Sequence, residues 1–402
     1  MINLSEFINN HVIFRKESLF TQDIEQQKDN IRKEIEGKKV LVIGGAGSIG
    51  SSFIRAILPF KPSKLYIIDL NENGLVEVTR DLRSTYHLYM PQEYHSYTLD
   101  FADPILKHIF KQENGFDIVA NFSAHKHVRS EKDRFSVQAL LQNNILKAKT
   151  LLDILNTYPP AHFFCVSTDK AANPVNIMGA SKKIMEDLIF SYQDSFCVNT
   201  ARFANVAFSN GSLLDGFLNR LQKGQPLAAP TDVKRYFVSP EESGQICMLS
   251  CILGKGGEIF YPKLKTEQME TFSSICSSFL DYLGLKPFLC HSEEEAKVYA
   301  AQRNPTDKNY PVFYFESDTT GEKPYEEFFV EGEEIDVSRF LALGVITRHA
   351  KKSKAEINEF LGQLTTIFQK EDFNKEDIVE AIQQFLPNFE HIEKGKNLDQ
   401  KM

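Results

Sequence analysis

Three observations predict a doubly wound parallel α/β sheet that binds a dinucleotide, with a smaller C-terminal region. The first is a strand, a glycine turn and a helix in immediate succession: Val40 to Ile43, then Gly44-Gly45-Ala46-Gly47-Ser48-Ile49-Gly50, then Ser51 to Leu58. The second is the alternation of short apolar runs with amphipathic stretches up to about residue 200, the pattern of parallel strands joined by helices. The third is that polar residues follow the ends of these runs. His162-Phe163-Phe164-Cys165-Val166 leads straight into Ser167-Thr168-Asp169-Lys170. In an open sheet of this kind, ligands gather beyond the carboxyl ends of the strands.

Composition bounds the function. The 402 residues suffice for one large α/β domain with additions, or for two domains sharing an interface. Charged residues at 25% and hydrophobic residues at 42% are ordinary for a globular protein. A net charge of −8 offers no general attraction to nucleic acid or to an anionic membrane. There is no apolar run of transmembrane length, and Met1-Ile2-Asn3-Leu4-Ser5-Glu6 lacks the basic region and apolar core of a signal peptide, so a cytoplasmic protein is expected. The cysteines at 165, 197, 247, 251, 276 and 290 form no CxxC pair and are expected as buried free thiols.

Four segments follow. Residues 1–37 form a helical extension whose apolar anchors, Phe7, Ile8, Val12, Ile13, Phe14 and Leu19, pack on the main domain or on a second subunit. Residues 38–208 form the dinucleotide-binding domain, 209–350 a substrate-binding region interleaved with it, and 351–402 the C-terminal helices and a mobile tail. The expected assembly is a homo-oligomer.

Each element of the first domain carries a chemical expectation. Gly44, Gly47 and Gly50, spaced GxxGxxG, let backbone approach a pyrophosphate, and the N–H groups around Ser48 and Ile49 open the helix that receives it. The second strand, Lys64 to Ile68, ends at Asp69, a carboxylate suited to both adenosine ribose hydroxyls and repulsive to a 2′-phosphate. NAD is therefore expected over NADP. A third strand around Tyr97 to Leu99 delivers Asp100 and Phe101 to the adenine. A fourth, Phe116 to Ala120, runs into Asn121-Phe122-Ser123-Ala124-His125-Lys126-His127-Val128, a loop lining the nicotinamide end. No carboxylate or cysteine stands at ligand spacing from the two histidines, so no metal is expected. Past Ser167 to Lys170 the chain turns at Pro174 and becomes helical, with Met178 and Lys182 one turn apart on one face. Beyond it lie a polar loop at 204–212, a helix at 213–221 and Arg235, which matters chemically only if it faces the pocket. Residues 241–252 read as helix, and 318–324 as a loop. Ser353-Lys354-Ala355-Glu356 is a capping box, and Asn374 caps a last helix.

The glycine string, Lys126-His127-Val128, Ser167-Thr168-Asp169-Lys170-Ala171-Ala172-Asn173-Pro174, Met178-Gly179-Ala180-Ser181-Lys182, Arg202-Phe203-Ala204-Asn205-Val206 and Arg235-Tyr236-Phe237 resemble the extended short-chain dehydrogenase/reductases. More narrowly they resemble the bacterial UDP-N-acetylglucosamine 4,6-dehydratases of polysaccharide biosynthesis, and Gly321 to Glu327 is similar to a late motif of that group. The resemblance implies NAD-dependent oxidation at C4, loss of water across C5 and C6, and return of the hydride to C6. It implies Lys170 as base at C5, Asp169 as acid at the departing hydroxyl and Thr168 on the C4 oxygen. Met178 stands where other members carry a tyrosine, and the resemblance associates methionine with retention at C5. Methionine moves no proton, so Asp169 directly, or Thr168 relaying to a neighbour, must take the C4 hydroxyl proton. Lys182 would hold the nicotinamide ribose. Asn205 and Arg235 would hold the UDP end, with Lys126 serving either the diphosphate or the charge of the pocket. The pathway suggested is surface-glycan or nonulosonic acid synthesis. Two other readings compete: a UDP-sugar 4-epimerase, and a non-catalytic NAD-binding protein.

Overall fold

The computed structural model of the chain describes residues 2–317, 325 and 327–391. The loop expected at 318–324, most of the motif at 321–327 and the tail beyond 391 lie outside the described residues. Two helices, α1 (Leu4–His11) and α2 (Thr21–Ile35), come first. The chain then alternates β1 (Lys39–Ile43), α3 (Ser48–Ile57), β2 (Lys64–Asp69), α4 (Glu72–Ser84), β3 (Glu93–Thr98), α5 (Pro104–Glu113), β4 (Ile118–Asn121), α6 (Arg134–Leu141), α7 (Lys147–Thr157), β5 (His162–Cys165), α8 (Ile177–Phe190) and β6 (Val198–Ala201). The six strands pair in parallel in the order β3-β2-β1-β4-β5-β6. The winding reverses between β1 and β4, which opens a crevice at their carboxyl ends. This is the doubly wound sheet that the sequence predicts.

Central strands are covered on both faces, so they are written as continuous apolar runs. Val40 to Ile43 are at most 1% exposed. The edge strand β3 reads Glu-Tyr-His-Ser-Tyr-Thr and is largely open. With no apolar run to mark it, it begins earlier than the strand expected around Tyr97 to Leu99.

After β6 the chain leaves for a second lobe through β7 (Asn205–Val206), α9 (Leu213–Gln222), β8 (Leu227–Pro230) and β9 (Lys234–Val238). It returns by α10 (Pro240–Leu253), which packs against α3, and by β10 (Glu258–Pro262), which joins the large sheet beside β6. A second excursion runs through β11 (Met269–Thr271), α11 (Phe272–Tyr282), β12 (Lys286–Cys290), α12 (Glu293–Gln302) and β13 (Asn309–Phe315). The hairpin of β14 (Glu334–Asp336) and β15 (Leu343–Arg348) then pairs antiparallel to β10 and brings the large sheet to nine strands. The second lobe holds two three-stranded sheets, β11-β9-β7 and β12-β13-β8. The chain closes with α13 (Lys354–Gln369) and α14 (Lys375–Phe385), each opened by the expected cap at Ser353 and Asn374.

Each lobe has its own apolar core, and the N-terminal extension enters both. Phe7, Ile8, Val12 and Ile13 are buried with Phe208, Phe217 and Phe279 in the second lobe, while Phe20, Ile31 and Ile35 are buried with the large sheet. Leu19 packs partly buried against that sheet core. Phe14 is not an anchor: it is 63% exposed, in a left-handed turn (φ 52°) that points it away from both cores. Among the described residues no helix is long and apolar enough to cross a membrane, and no group of three or more His, Cys, Asp or Glu could hold a metal ion.

Candidate active site

The β1–α3 turn is built around close approaches that only glycine permits. A Cβ on Gly44, whose φ is +75°, would stand 2.6 Å from the Ser123 nitrogen; one on Gly50 would stand 2.2 Å from the Gly44 oxygen. Gly47 precedes α3 without a side-chain cap, so the first N–H groups of α3, beginning at Ser48 and Ile49, have no side-chain acceptor from the N-cap. The Asp69 carboxylate ties this turn to the end of β2, accepting from the Ala46 N–H at 3.0 Å and the Asn71 N–H at 2.9 Å. A cradle of this shape, ending on an uncapped helix and flanked by a carboxylate, fits a dinucleotide.

The other residues expected along the crevice lie beside it. Asp100 pairs with Lys147 and accepts from the Ala102 N–H at 2.9 Å; Phe101 is buried in the sheet core. Ser123 donates its N–H to Asn121 Oδ1 at 3.0 Å, and Ala124 follows it along the loop. Asn144 fastens that loop to α8: it accepts from the His125 N–H at 2.9 Å and donates to the His125 oxygen and to Ser181 Oγ, both at 3.0 Å. Asn144 sits on a π-helical turn, Gln142–Leu146, between α6 and α7.

At the end of β5, one carboxylate oxygen collects three donors. Asp169 Oδ1 accepts from Thr168 Oγ1 at 2.7 Å, from the Lys170 N–H at 2.9 Å and from Lys170 Nζ at 3.1 Å. Asp169 is only 4% exposed. Gly179 lets α8 close on this group, since a Cβ there would stand 2.7 Å from the Lys170 oxygen. Asn176 caps α8 through the Gly179 N–H, and Glu131 accepts the Met178 N–H at 2.8 Å. Met178 and Lys170 line one cavity of about 570 Å³, together with Lys126, whose Nζ donates to the Asn210 oxygen at 3.0 Å. One turn on, Lys182 is buried, and its ammonium has only Met185 Sδ, at 3.4 Å, as a hydrogen-bond acceptor among the described residues. Burial pushes its pKa down, partly offset by Cys165 and Glu186. Such an amine lacks an oxygen acceptor, which a ribose hydroxyl would supply.

Behind the strand end, Ser167 Oγ donates to Glu186 at 2.6 Å, and Glu186 holds Arg202 through two bonds of 2.9 and 2.7 Å. Arg202 also reaches Glu333 at 3.0 Å. Asn205 and Arg235 lie on the neighbouring strands β7 and β9. Asn205 Nδ2 is buried without a hydrogen-bond partner among the described residues. Arg235 is buried at 4% exposure and donates to the Lys234 oxygen, and it is not on the wall of the 570 Å³ cavity. Thus the fold gathers Thr168, Asp169, Lys170, Met178 and Lys126 at one place, with Lys182 on the same helix and Asn205 and Arg235 on the adjoining small sheet.

A family model described as polysaccharide biosynthesis protein matches residues 40–341. The chain belongs to that family. It is a branch of the extended short-chain dehydrogenase/reductases. An uncharacterized membrane protein of Methanocaldococcus jannaschii is 28% identical over 73% of this chain and 85% of its own length. The capsular polysaccharide biosynthesis protein CapD of Staphylococcus aureus is 26% identical over 80% of this chain, which spans about half of it, 53%. An inverting UDP-N-acetylglucosamine 4,6-dehydratase of Campylobacter jejuni is 27% identical over 57% of this chain and 67% of its own. A UDP-glucose 4-epimerase of Rickettsia canadensis is 24% identical over 74% and 87%. Among solved structures, the dTDP-glucose 4,6-dehydratase DesIV of Streptomyces venezuelae, with NAD bound, superposes at a TM-score of 0.56 and 18% identity, covering 79% of this chain and 94% of that one. This last likeness concerns the fold.

Sequence reasoning missed Glu131, Asn144 and Glu186 as supports of the site. Each lies on a helical segment between motifs, where a buried polar residue looks like any solvent-facing one until the partner is known.

Proposed function

We propose that this polysaccharide biosynthesis protein is an NAD-dependent UDP-N-acetylglucosamine 4,6-dehydratase that retains the configuration at C5. The observation that carries the reading is the sharing of Asp169 Oδ1 by Thr168 and Lys170 beside a cavity that Lys170 and Met178 line. Relatives in the family named as UDP-sugar dehydratase and epimerase support the substrate class.

Gly44, Gly47, Ser48, Ile49 and Gly50 would hold the pyrophosphate of NAD, Asp69 its adenosine ribose, Asp100 and Phe101 the adenine, Ser123 and Ala124 the nicotinamide side, and Lys182 the second ribose. When bound, the cofactor supplies a hydride acceptor for C4 and a donor for C6. The protein's own work is on protons. In the ionised pair, the Lys170 ammonium points at Asp169 Oδ1 over 3.1 Å. Loss of that ammonium proton to solvent leaves a neutral amine beside a carboxylate, and the carboxylate becomes an acid when it receives the C4 hydroxyl proton, which gives the base and the acid an elimination needs. Lys170 then takes the C5 proton while Asp169 gives its own to the C6 oxygen, and water leaves. The 2.7 Å bond from Thr168 to Asp169 supports a relay for the C4 hydroxyl proton that Met178 cannot accept. Lys126, Asn205 and Arg235 would hold the UDP end.

The test is to incubate the purified protein with UDP-N-acetylglucosamine in deuterated water and follow the product by mass spectrometry and NMR. A 4-keto-6-deoxy sugar with deuterium at C5 is expected, and Lys170→Ala is expected to lower turnover by a factor of roughly a hundred or more. Epimerised sugar with no loss of water would give the place to the 4-epimerase reading. NAD binding with no sugar turnover would favour a non-catalytic role.

A further inference from the structure

The chain as a whole is acidic, at −8, yet the 570 Å³ cavity beside Lys170 carries the opposite charge. Four cationic side chains line it, Lys126, Lys170, Arg220 and Lys223, against one carboxylate, Asp215. That carboxylate is already engaged, accepting from the Gly211 N–H at 3.0 Å and from Asn219 Nδ2 at 3.2 Å. The side chains of Arg220 and Lys223 form no hydrogen bond or ion pair with a described residue. Both stand at the end of α9, where a cation complements the helix dipole, and that effect alone is worth only a few tenths of a kcal/mol to about 1. It does not explain why both line the wall of this cavity.

The distance along α9 gives these cations a place relative to the chemistry. Lys126 reaches Asn210 and His127 lies against Gly211, just ahead of the helix. The same loop meets α8 where Glu131 accepts the Met178 N–H, so the end of the cavity lined by Met178 and Lys170 lies near the start of α9. From Asp215 to Lys223 the helix advances eight residues, about 12 Å at 1.5 Å per residue. A sugar with its C4–C6 edge at Lys170 places the phosphates on its C1 oxygen across the ring, further along that axis. The apolar rings of Phe272 and Phe315 wall the same cavity. It therefore offers a reacting end, a cationic stretch and an apolar wall, in a size suited to one small ligand.

We propose that Arg220 and Lys223 form the pair that recognises the diphosphate of the nucleotide sugar, in addition to Lys126, Asn205 and Arg235. The inference rests on the nucleotide-sugar reading above. It makes these two residues determinants of specificity: they select ligands carrying a diphosphate over a sugar or a nucleoside alone.

Binding of UDP and of uridine to the full chain, measured by calorimetry at low and moderate salt, tests this without turnover. In the R220Q/K223Q variant the UDP dissociation constant is expected to rise about 10- to 100-fold, with a shallower dependence on salt, while uridine binding stays as in the parent. At saturating sugar, kcat should be unchanged and KM raised, as for binding shared by ground and transition states. K223Q alone, a conservative change on an exposed side chain, should show part of the effect and covers the case in which the double variant does not fold. Parent-like UDP affinity in the variants overturns the assignment and leaves the nucleotide-sugar reading standing. A parent protein that does not bind UDP overturns both.

Discussion

Lys182 is buried, at 4% exposure, and its ammonium has a thioether where an oxygen would serve it better. Burial lowers its pKa, so the folded protein holds the charged form less well than the unfolded chain does. The sign follows: below the folded pKa the charged amine opposes folding, and stability from this group is recovered as the pH rises toward its unfolded value, about 10.4. Lys182→Met removes the charge and keeps the volume. In protein free of NAD, the substitution is expected to raise Tm by roughly 2 °C or more at pH 7, and by less at alkaline pH. With NAD added, the order should reverse, because the variant lacks the donor proposed for the ribose. Thermal melts with and without NAD check both halves. Equal stabilisation of both proteins by NAD would remove Lys182 from the cofactor site.

At the scale of elements, α8 joins the site to the rest of the fold. Its first turns meet Lys170 through Gly179 and the histidine loop through Ser181 and Asn144; its later turns hold Ser167 and Arg202 through Glu186. Burial pushes the Glu186 pKa up, but the Arg202 guanidinium outweighs this and leaves it below the usual carboxylate value. Its contribution is therefore present above about pH 4.3 and is lost as the pH falls through the lowered folded value. Glu186→Gln leaves Arg202 buried with only part of its counter-charge, and is expected to cost about 3 kcal/mol at pH 7. Urea melts should show the gap between parent and variant narrowing near pH 4; a gap that does not change with pH would mean that packing, not charge, carries the effect. The central strands, the helix caps and the polar string at the end of β5 were legible because each is a local pattern: an apolar run, a cap with its partner three residues on, a run of polar residues after a strand. The polar edge strand β3 and the return of β10 and β15 to the large sheet were not, since neither is marked by anything near it in sequence. Arg220 was hidden for a related reason. Periodicity assigns it to a face of α9 but does not say whether that face meets water or a cavity.

The whole molecule is two lobes with the 570 Å³ cavity bounded by both, and the N-terminal extension, which lies outside the family match, connects them. Phe7 is fully buried among Phe208, Phe279 and Tyr282 in the second lobe. A few residues on, Arg15 grips Glu242, at the start of α10, through two bonds of 2.6 Å, and Glu242 is itself fully buried. Asp23 of α2 then accepts the N–H groups of Leu341 and Ala342, at 2.6 and 2.8 Å, ahead of β15. Phe208 belongs to the loop carrying Asn210, the partner of Lys126, so the extension also props one wall of the cavity. Arg15 and Glu242 are 227 positions apart, and no sequence pattern announces their pairing. Such a strut is expected to make the lobes unfold as one unit. Phe7→Ala opens a cavity in the second core, at about 3 kcal/mol or more, and Arg15→Ala leaves a buried carboxylate short of its counter-ion. In the F7A/R15A double variant, scanning calorimetry is expected to resolve two transitions where the parent shows one, with the second lobe melting first. The KM for the proposed sugar-nucleotide substrate should rise as the lobes lose their fixed spacing. A single transition merely shifted to lower temperature would show that the lobes are coupled through α10 and the large sheet alone, and that the extension adds stability without linking them.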